Sequence, residues 1–249
     1  MRELPASMWP DLRAWFVPER PGLLPYQHLL RTGHGRCRVD RWPDPCVVLA
    51  ESGGNVALRG DPGDVDESEL ADVCGFVDAP TEWLPVLRAA VGEVAIWPRI
   101  VSALPAEAEL SGRHDGVRRL GPRDADALRD YDPAGSWITA TWGGPDGLAA
   151  AEVGRGAFVD GRLVSIALPF FVGDGYAEVG VVTAAGYRGR GLSTACSTEV
   201  IADIRALGLV PTWTTSPDNT ASLGLAARLG FVRQRDDVLY AVRVPIPVD

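Results

Sequence analysis

The chain contains no lysine: all 24 of its basic residues are arginine, against 33 acidic residues, and the formal net charge is −9. This excess of acidic residues argues against a nucleic-acid-binding protein, because such proteins depend on clustered basic side chains. The missing lysine also excludes a Walker A phosphate loop, whose motif requires a lysine before its serine or threonine. Charge composition alone therefore removes two large classes of protein.

Long apolar runs, a signal-peptide pattern and paired cysteines are absent too. No stretch approaches the roughly 18 apolar residues of a membrane helix, and residues 1–30 are polar and punctuated by proline, so we expect no membrane association. The four cysteines form no C-x-x-C pair, which favours a reduced, cytoplasmic environment. His28, His34 and Cys37 are close in sequence but lack a fourth ligand at suitable spacing, so we expect no metal site.

The most informative segment is a glycine-rich loop that follows a strand-like run and opens a helix. The run 177–183 reads A-E-V-G-V-V-T, which is typical of a buried strand, and G-Y-R-G-R-G-L-S follows at 186–193. Apolar residues then recur at helical spacing, which predicts a helix ending at Gly208. Its predicted apolar face consists of Leu192, Ala195, Cys196, Val200, Ile201, Ile204 and Leu207.

This order of elements is the one that an anion site requires. Glycines let a ligand approach the backbone, and the N-terminal end of a helix favours negative charge. The simpler interpretation is a glycine turn with solvated arginines. A dinucleotide-binding loop fits less well, because the third glycine of G-x-G-x-x-G is missing here.

The segment after the helix repeats strand, turn and helix. Residues 209–215 predict a short strand, and Asp218 or Asn219 is the predicted N-cap of the next helix, which Gly230 ends. Two closing strands are expected at 231–232 and 238–244.

The loop Arg188–Ser193 (R-x-x-G-x-S), Asn219 and Leu229–Phe231 together resemble the cofactor-binding half of the GNAT (GCN5-related) N-acetyltransferases. The resemblance implies an α/β fold with a mixed sheet: a catalytic GNAT domain at 115–249, preceded by a smaller α/β domain at 1–105 that is similar to a degenerate copy and holds no cofactor. It also implies acetyl-coenzyme A as co-substrate. The residues that it assigns to coenzyme binding are Val181, Val182, Thr183, Arg188, Gly189, Arg190, Gly191, Leu192, Ser193, Asn219 and Ser222.

Acetyl transfer to an amine needs a base, because amines with a pKa near 10 are mostly protonated at neutral pH. Glu178, in the strand before the loop, is the first candidate by resemblance, Glu152 is the second and Tyr187 the third. Many relatives carry a tyrosine seven residues after the position of Asn219, where it protonates the leaving thiolate. Here that position is Ala226.

The expected function is thus N-acetyl transfer from acetyl-coenzyme A to an amine of a small molecule or peptide, by direct attack in a ternary complex. Ala226 keeps a second hypothesis open, a non-catalytic acyl-coenzyme A sensor. The first half either shapes the acceptor site or forms a homodimer contact, and 103–116 is the expected linker. In that half, 94–104 is apolar and expected to be broken by Pro98. Trp137 and Trp142 line a pocket or simply pack.

Overall fold

The computed structural model describes residues 1–110 and 116–247, so part of the predicted linker lies outside the described residues. A single 12-stranded sheet runs through both halves of the chain. The strands and helices of the N-terminal half are β1 (Arg2–Leu4), α1 (Pro25–Thr32), β2 (Arg36–Val39), β3 (Val47–Ser52), β4 (Asn55–Gly60), β5 (Gly75–Asp78), α2 (Trp83–Val91) and β6 (Val94–Ala103).

The C-terminal half follows a similar order and adds a long helix between its two parallel strands. Short 3₁₀ segments connect several elements in both halves, among them Ala6–Phe16 and Pro133–Trp142. The strands and helices are β7 (Val117–Arg119), α3 (Ala125–Arg129), α4 (Gly144–Ala151), β8 (Arg155–Val159), β9 (Arg162–Val172), β10 (Tyr176–Thr183), α5 (Leu192–Ala206), β11 (Val210–Thr215), α6 (Thr220–Arg228) and β12 (Val232–Val242).

The strand order is β1-β2-β3-β4-β5-β12-β6-β11-β10-β9-β8-β7. It reads the same from either end once β1 to β6 are matched with β7 to β12. Each half has one parallel pair, β4 with β5 and β10 with β11. At the centre, β6 pairs with β11 and β12 pairs with β5, so the halves exchange their last strands. The predicted limits of two separate domains stay a prediction.

The expectation that Pro98 breaks its segment is wrong. β6 continues through Pro98, which lies opposite Val238 of β12. On its other side, β6 pairs with β11 only from Ile100 to Ala103. Proline is tolerated in a strand where no neighbouring strand needs its missing N–H, and β6 offers such a side at Pro98.

Two further predictions are corrected at the ends of elements. The two expected closing strands form one strand, β12, with an irregular register between Arg233 and Arg235. Helix α5 ends before Gly208, which has φ of 75°, but Leu207 is 70% exposed and does not belong to the apolar face. The chain leaves the helix at Leu207, so helical spacing no longer predicts where that side chain points.

Apolar side chains pack into three clusters. One surrounds α5 and β8 to β11, the second lies between α2 and β3 to β5, and the third lies around α1 and the segment Ala6–Phe16. The alternatives for the two tryptophans divide: Trp142 is buried and donates to the Pro169 carbonyl (2.9 Å), whereas Trp137 is exposed and packs on Phe170. Among the described residues, no helix is long and apolar enough to cross a membrane.

The segment before α1 is anchored on the C-terminal half by Glu19. The Glu19 carboxylate accepts hydrogen bonds from the backbone N–H groups of Asp174, Gly175 and Tyr176 at 2.7, 2.9 and 3.0 Å. These three amides belong to the turn between β9 and β10. The segment is therefore held across the junction of the two halves.

We expect Glu19→Ala to lower the free energy of unfolding by roughly 1.5–3 kcal/mol, because three hydrogen bonds to an ionised acceptor are lost. Denaturant unfolding of both proteins measures the difference. Glu3→Ala, at an exposed position on β1, is the control and should change stability by less than about 0.5 kcal/mol. Equal effects of the two substitutions would contradict the anchoring role.

Candidate functional site

The glycine loop connects β10 to the N-terminus of α5. Gly189 and Gly191 both have φ of 76°, a conformation that favours glycine. A Cβ built on either glycine would meet nothing within 4 Å, so the loop backbone borders open space. Leu192 then begins a helix of 15 residues, whose unpaired N–H groups and dipole favour an anion. The residues present fit a pyrophosphate group.

Two exposed arginines add positive charge to the loop. Arg188 lies with its Nε 3.4 Å from the Thr183 carbonyl oxygen, and the Arg190 guanidinium lies 5.0 Å from the centre of the Tyr187 ring. Tyr187, the third candidate base, is therefore at the loop end of β10, separated from Glu178 by the length of the strand.

Strands β10 and β11 pair over only three residues each, from Tyr176 with Val210 to Glu178 with Thr212. Beyond Glu178, β10 continues alongside β9 alone, while β11 pairs with β6 on its other side. The segment Val179–Thr183 therefore has backbone groups on its open side that a ligand can bind. Val181, Val182 and Thr183 lie here, half-buried, so the opening runs from Glu178 to the glycine loop.

The N-terminal half has an arginine at the matching position. Strands β4 and β5 pair from Asn55 with Phe76 to Ala57 with Asp78. Arg59, two residues further along β4, donates to the carbonyl oxygen and to Oδ2 of Asp78 at 2.8 and 2.5 Å. Its guanidinium bridges the two strands where β10 and β11 separate.

Glu178 lies where the pairing of β10 with β11 ends, and only 7% of the residue is exposed. Burial raises the pKa of its carboxyl to about 7, while Arg99, the Thr214 hydroxyl and Arg235 favour the carboxylate and oppose this rise. A base whose pKa lies near the working pH can accept a proton and release it again. Glu178 therefore has the environment of a general base.

Three buried polar atoms near this point have no hydrogen-bond partner among the described residues: Glu178 Oε2, Thr212 Oγ1 and Thr214 Oγ1. The Thr214 hydroxyl is near enough to favour the Glu178 carboxylate but does not reach hydrogen-bond geometry. Unpaired buried polar atoms are rare in proteins and mark places where a ligand or water binds. The alternation of T-W-T at 212–214 places both threonines on one face, a signal that sequence reasoning did not use.

The face of β10 that carries Glu178 also carries Gly180, because side chains alternate along a strand. A Cβ on Gly180 would lie 3.0 Å from both Ile138 and Phe170, so the segment Pro133–Trp142 approaches the strand closely here. Trp137 of that segment packs edge-on against Phe170, with ring centres 5.5 Å apart. An exposed aromatic pair thus lies near the opening.

Glu152, the second candidate base, lies elsewhere. It follows α4 directly, its carboxyl lies beside Gly121, and its carbonyl oxygen accepts a hydrogen bond from Arg119 at 2.7 Å. These contacts place it near β7, at the edge of the sheet and three strands from β10. The structure does not bring it to Glu178.

Asn219, Ser222 and Ala226 belong to the turn and helix after β11. Asn219 Oδ1 accepts the Ser222 N–H at 2.7 Å and so caps α6, while the Ser222 hydroxyl accepts a hydrogen bond from the Trp213 indole at 3.0 Å. Both side chains have structural roles, which does not exclude contact with a coenzyme. Ala226 is 5% exposed and packs in the core.

Sequence reasoning also missed Arg99 and Arg235, which lie on the two exchanged strands β6 and β12. The Arg99 guanidinium lies 3.9 Å over the Trp97 ring and donates to the Thr214 carbonyl at 3.0 Å. No local motif marks either arginine, because only the strand exchange brings them to Glu178.

Known proteins resemble this chain in sequence and in fold. Residues 117–240 match the family model described as GNAT acetyltransferase. An uncharacterized N-acetyltransferase from the mutA 5′ region of Streptomyces virginiae is 41% identical over 212 residues, which cover 83% of this chain and 89% of that protein.

Two solved structures show a similar fold. A GCN5-related N-acetyltransferase-like protein from Streptococcus suis matches with a TM-score of 0.72 and 18% identity, covering 96% of this chain and 99% of its own. A tandem GNAT protein from the clavulanic acid biosynthesis pathway matches with a TM-score of 0.54 and 14% identity, covering 96% of both chains. At these identities the likeness concerns the fold alone.

Proposed function

This chain belongs to the GNAT N-acetyltransferase family, and we propose that it moves an acetyl group from acetyl-coenzyme A to an amine of a small molecule or peptide, by direct attack in a ternary complex. One observation carries the proposal. A buried carboxyl, an open strand edge and a glycine loop at a helix N-terminus follow one another along β10.

The loop and the open strand would hold the coenzyme. Backbone N–H groups of Gly189–Ser193 and the Arg188 side chain suit the pyrophosphate, and the open edge of Val179–Thr183 suits the amide groups of the pantetheine arm. When bound, acetyl-coenzyme A supplies the acetyl group as a thioester. The N–H groups on the open side of β10 are the donors available to polarise the thioester carbonyl.

Glu178 would take the proton from the acceptor amine, directly or through water. The amine nitrogen attacks the acetyl carbon, and the electrons of the broken carbon–sulfur bond go to sulfur. With alanine at 226, the thiol leaves as a thiolate, which is tolerable because thiols have a pKa of about 8–9. Ala226 favours the alternative of a non-catalytic acyl-coenzyme A sensor, whereas the buried Glu178 favours transfer.

Two coarser proposals accompany this function. The protein acts in the cytoplasm, which the four free cysteines support. The N-terminal half is a degenerate copy of the catalytic half without coenzyme, which the matching strand order and the bridging Arg59 support. The tandem GNAT protein with a similar fold is consistent with this arrangement.

The coenzyme site is tested with Gly191→Asp. The new carboxylate enters the space beside the loop and repels the pyrophosphate, so affinity for acetyl-coenzyme A should fall by about tenfold to 100-fold in calorimetric titration. Gly208→Asp is the matched control: Gly208 ends the same helix, has φ of 75° and also faces open space, so backbone strain is equal. Equal affinities for the two variants would remove the glycine loop as the site.

A further inference from the structure

A cleft of about 280 Å³, part of it open to solvent, lies at the junction of the two halves. Its walls come from the segment before α1 and from β5, β6, β11 and β12. The charged residues that line it are Arg20, Asp78, Arg99, Arg235 and Asp237. The cleft exists because β6 and β12 cross from one half to the other.

Arginines outnumber aspartates in this lining, and both aspartates already bind arginine. Asp78 forms an ion pair with Arg59 at 2.5 Å, and Asp237 forms one with Arg235 at 2.8 Å. Arg20 is 58% exposed at the rim and lies 3.7 Å from Asp78, beyond hydrogen-bond distance. An anionic group that enters the cleft meets guanidinium donors, which bind carboxylates through two parallel hydrogen bonds.

The cleft adjoins the proposed base. Arg99 and Arg235 line it, and both act electrostatically on the Glu178 carboxyl. Thr214 lines it too, and its hydroxyl is one of the buried groups without a hydrogen-bond partner among the described residues. An amine whose nitrogen reaches Glu178 therefore places its neighbouring substituents near these arginines.

We propose that the acceptor carries a carboxylate close to its amine, as an amino acid does, and that Arg20 and Arg99 bind this carboxylate in the cleft. The inference rests on the proposed function, because it takes Glu178 as the base. In an α-amino acid the carboxylate carbon is two bonds from the nitrogen, so both groups fit between Glu178 and the arginines. A polyamine would instead bring further positive charge against them.

The test measures thiol release from acetyl-coenzyme A with single L-amino acids, each paired with its α-amide, which keeps the amine and loses the negative charge. We expect one or more amino acids to react with kcat/KM roughly 100-fold above that of the amide. Arg20→Gln should raise KM for that amino acid about tenfold with little change in kcat, and should change KM for the amide less than twofold. The control is Arg36→Gln, which removes an exposed arginine paired with Glu51 between β2 and β3.

Equal reaction of amino acids and amides overturns the proposal, and so does an Arg20→Gln effect that is the same for both. Coenzyme binding without transfer to any amino acid overturns it too, while leaving the coenzyme site intact. If acetyl-coenzyme A does not bind, the proposed function fails separately. The cleft is then judged by direct titration with the amino acids: binding that Arg20→Gln abolishes supports the carboxylate site, and no binding overturns it.

Discussion

Glu178→Gln is expected to lower kcat/KM at pH 7 by about 10²–10⁴-fold, the usual contribution of a positioned general base. The amide keeps the size of the side chain but cannot take a proton from the amine. In the wild type, kcat/KM should rise with pH through the Glu178 pKa of about 7, because the ionised carboxylate is the active form. The variant should lack this step.

The matched control is Glu152→Gln, which tests the second candidate base by the same chemical change. It should leave kcat/KM within about twofold, because Glu152 lies near β7 and its contacts are with Gly121 and Arg119. A larger loss with Glu152→Gln than with Glu178→Gln would reverse the assignment. An unchanged pH profile in Glu178→Gln would show that another group is the base.

Glu178 also makes stability depend on pH. Its folded pKa is raised from 4.5 to about 7, so its protonated form is favoured by folding, and that contribution is lost as pH rises from about 4.5 to about 7. The free energy of unfolding of Glu178→Gln relative to the wild type should therefore increase over this range and then stay constant. Thermal unfolding at pH 5 and pH 8 measures it.

His28→Ala is expected to lower the free energy of unfolding by about 3–5 kcal/mol, the upper range for a single substitution. His28 is fully buried; its Nε2–H donates to the Thr141 carbonyl at 2.9 Å, and its Nδ1 accepts the Val172 N–H at 3.1 Å. Alanine leaves both backbone groups unpaired, at about 1–3 kcal/mol each, and leaves a cavity beside Trp142 and Phe171.

The effect is large because His28 joins the two halves. It lies on α1, while both of its hydrogen-bond partners belong to the C-terminal half. His34→Ala, one residue beyond the end of the same turn, is the control and should cost less than about 1 kcal/mol, since His34 is half-buried. Similar denaturant midpoints for wild type and His28→Ala would contradict the role.

His28 gives a pH dependence opposite to that of Glu178. Burial lowers the pKa of His28 from 6.5 to about 4, so its stabilising contribution is complete above about pH 6.5 and is lost as pH falls towards 4. The variants therefore separate two effects that partly cancel in the wild type.

Local elements of the C-terminal half were largely predictable, because each has a local cause. The alternating β-branched run gave β10, the apolar spacing gave α5, and Gly208 and Gly230 follow the helices that they were expected to end. Asn219 caps α6 through its own side chain. Pro98 and Leu207 were wrong where the outcome depended on whether a neighbouring strand or core was present.

The sequence by itself determined the coenzyme loop, the family and the first candidate base, since glycine conformations, helix ends and strand alternation are properties of adjacent residues. Only the tertiary structure decided that Glu178 is buried with Arg99 and Arg235, that Glu152 lies apart, and that Arg20 borders a shared cleft. These outcomes depend on the exchange of β6 and β12, which pairs residues more than 100 positions apart. Local spacing carries no information about such pairs, because their contacts arise from the whole sheet.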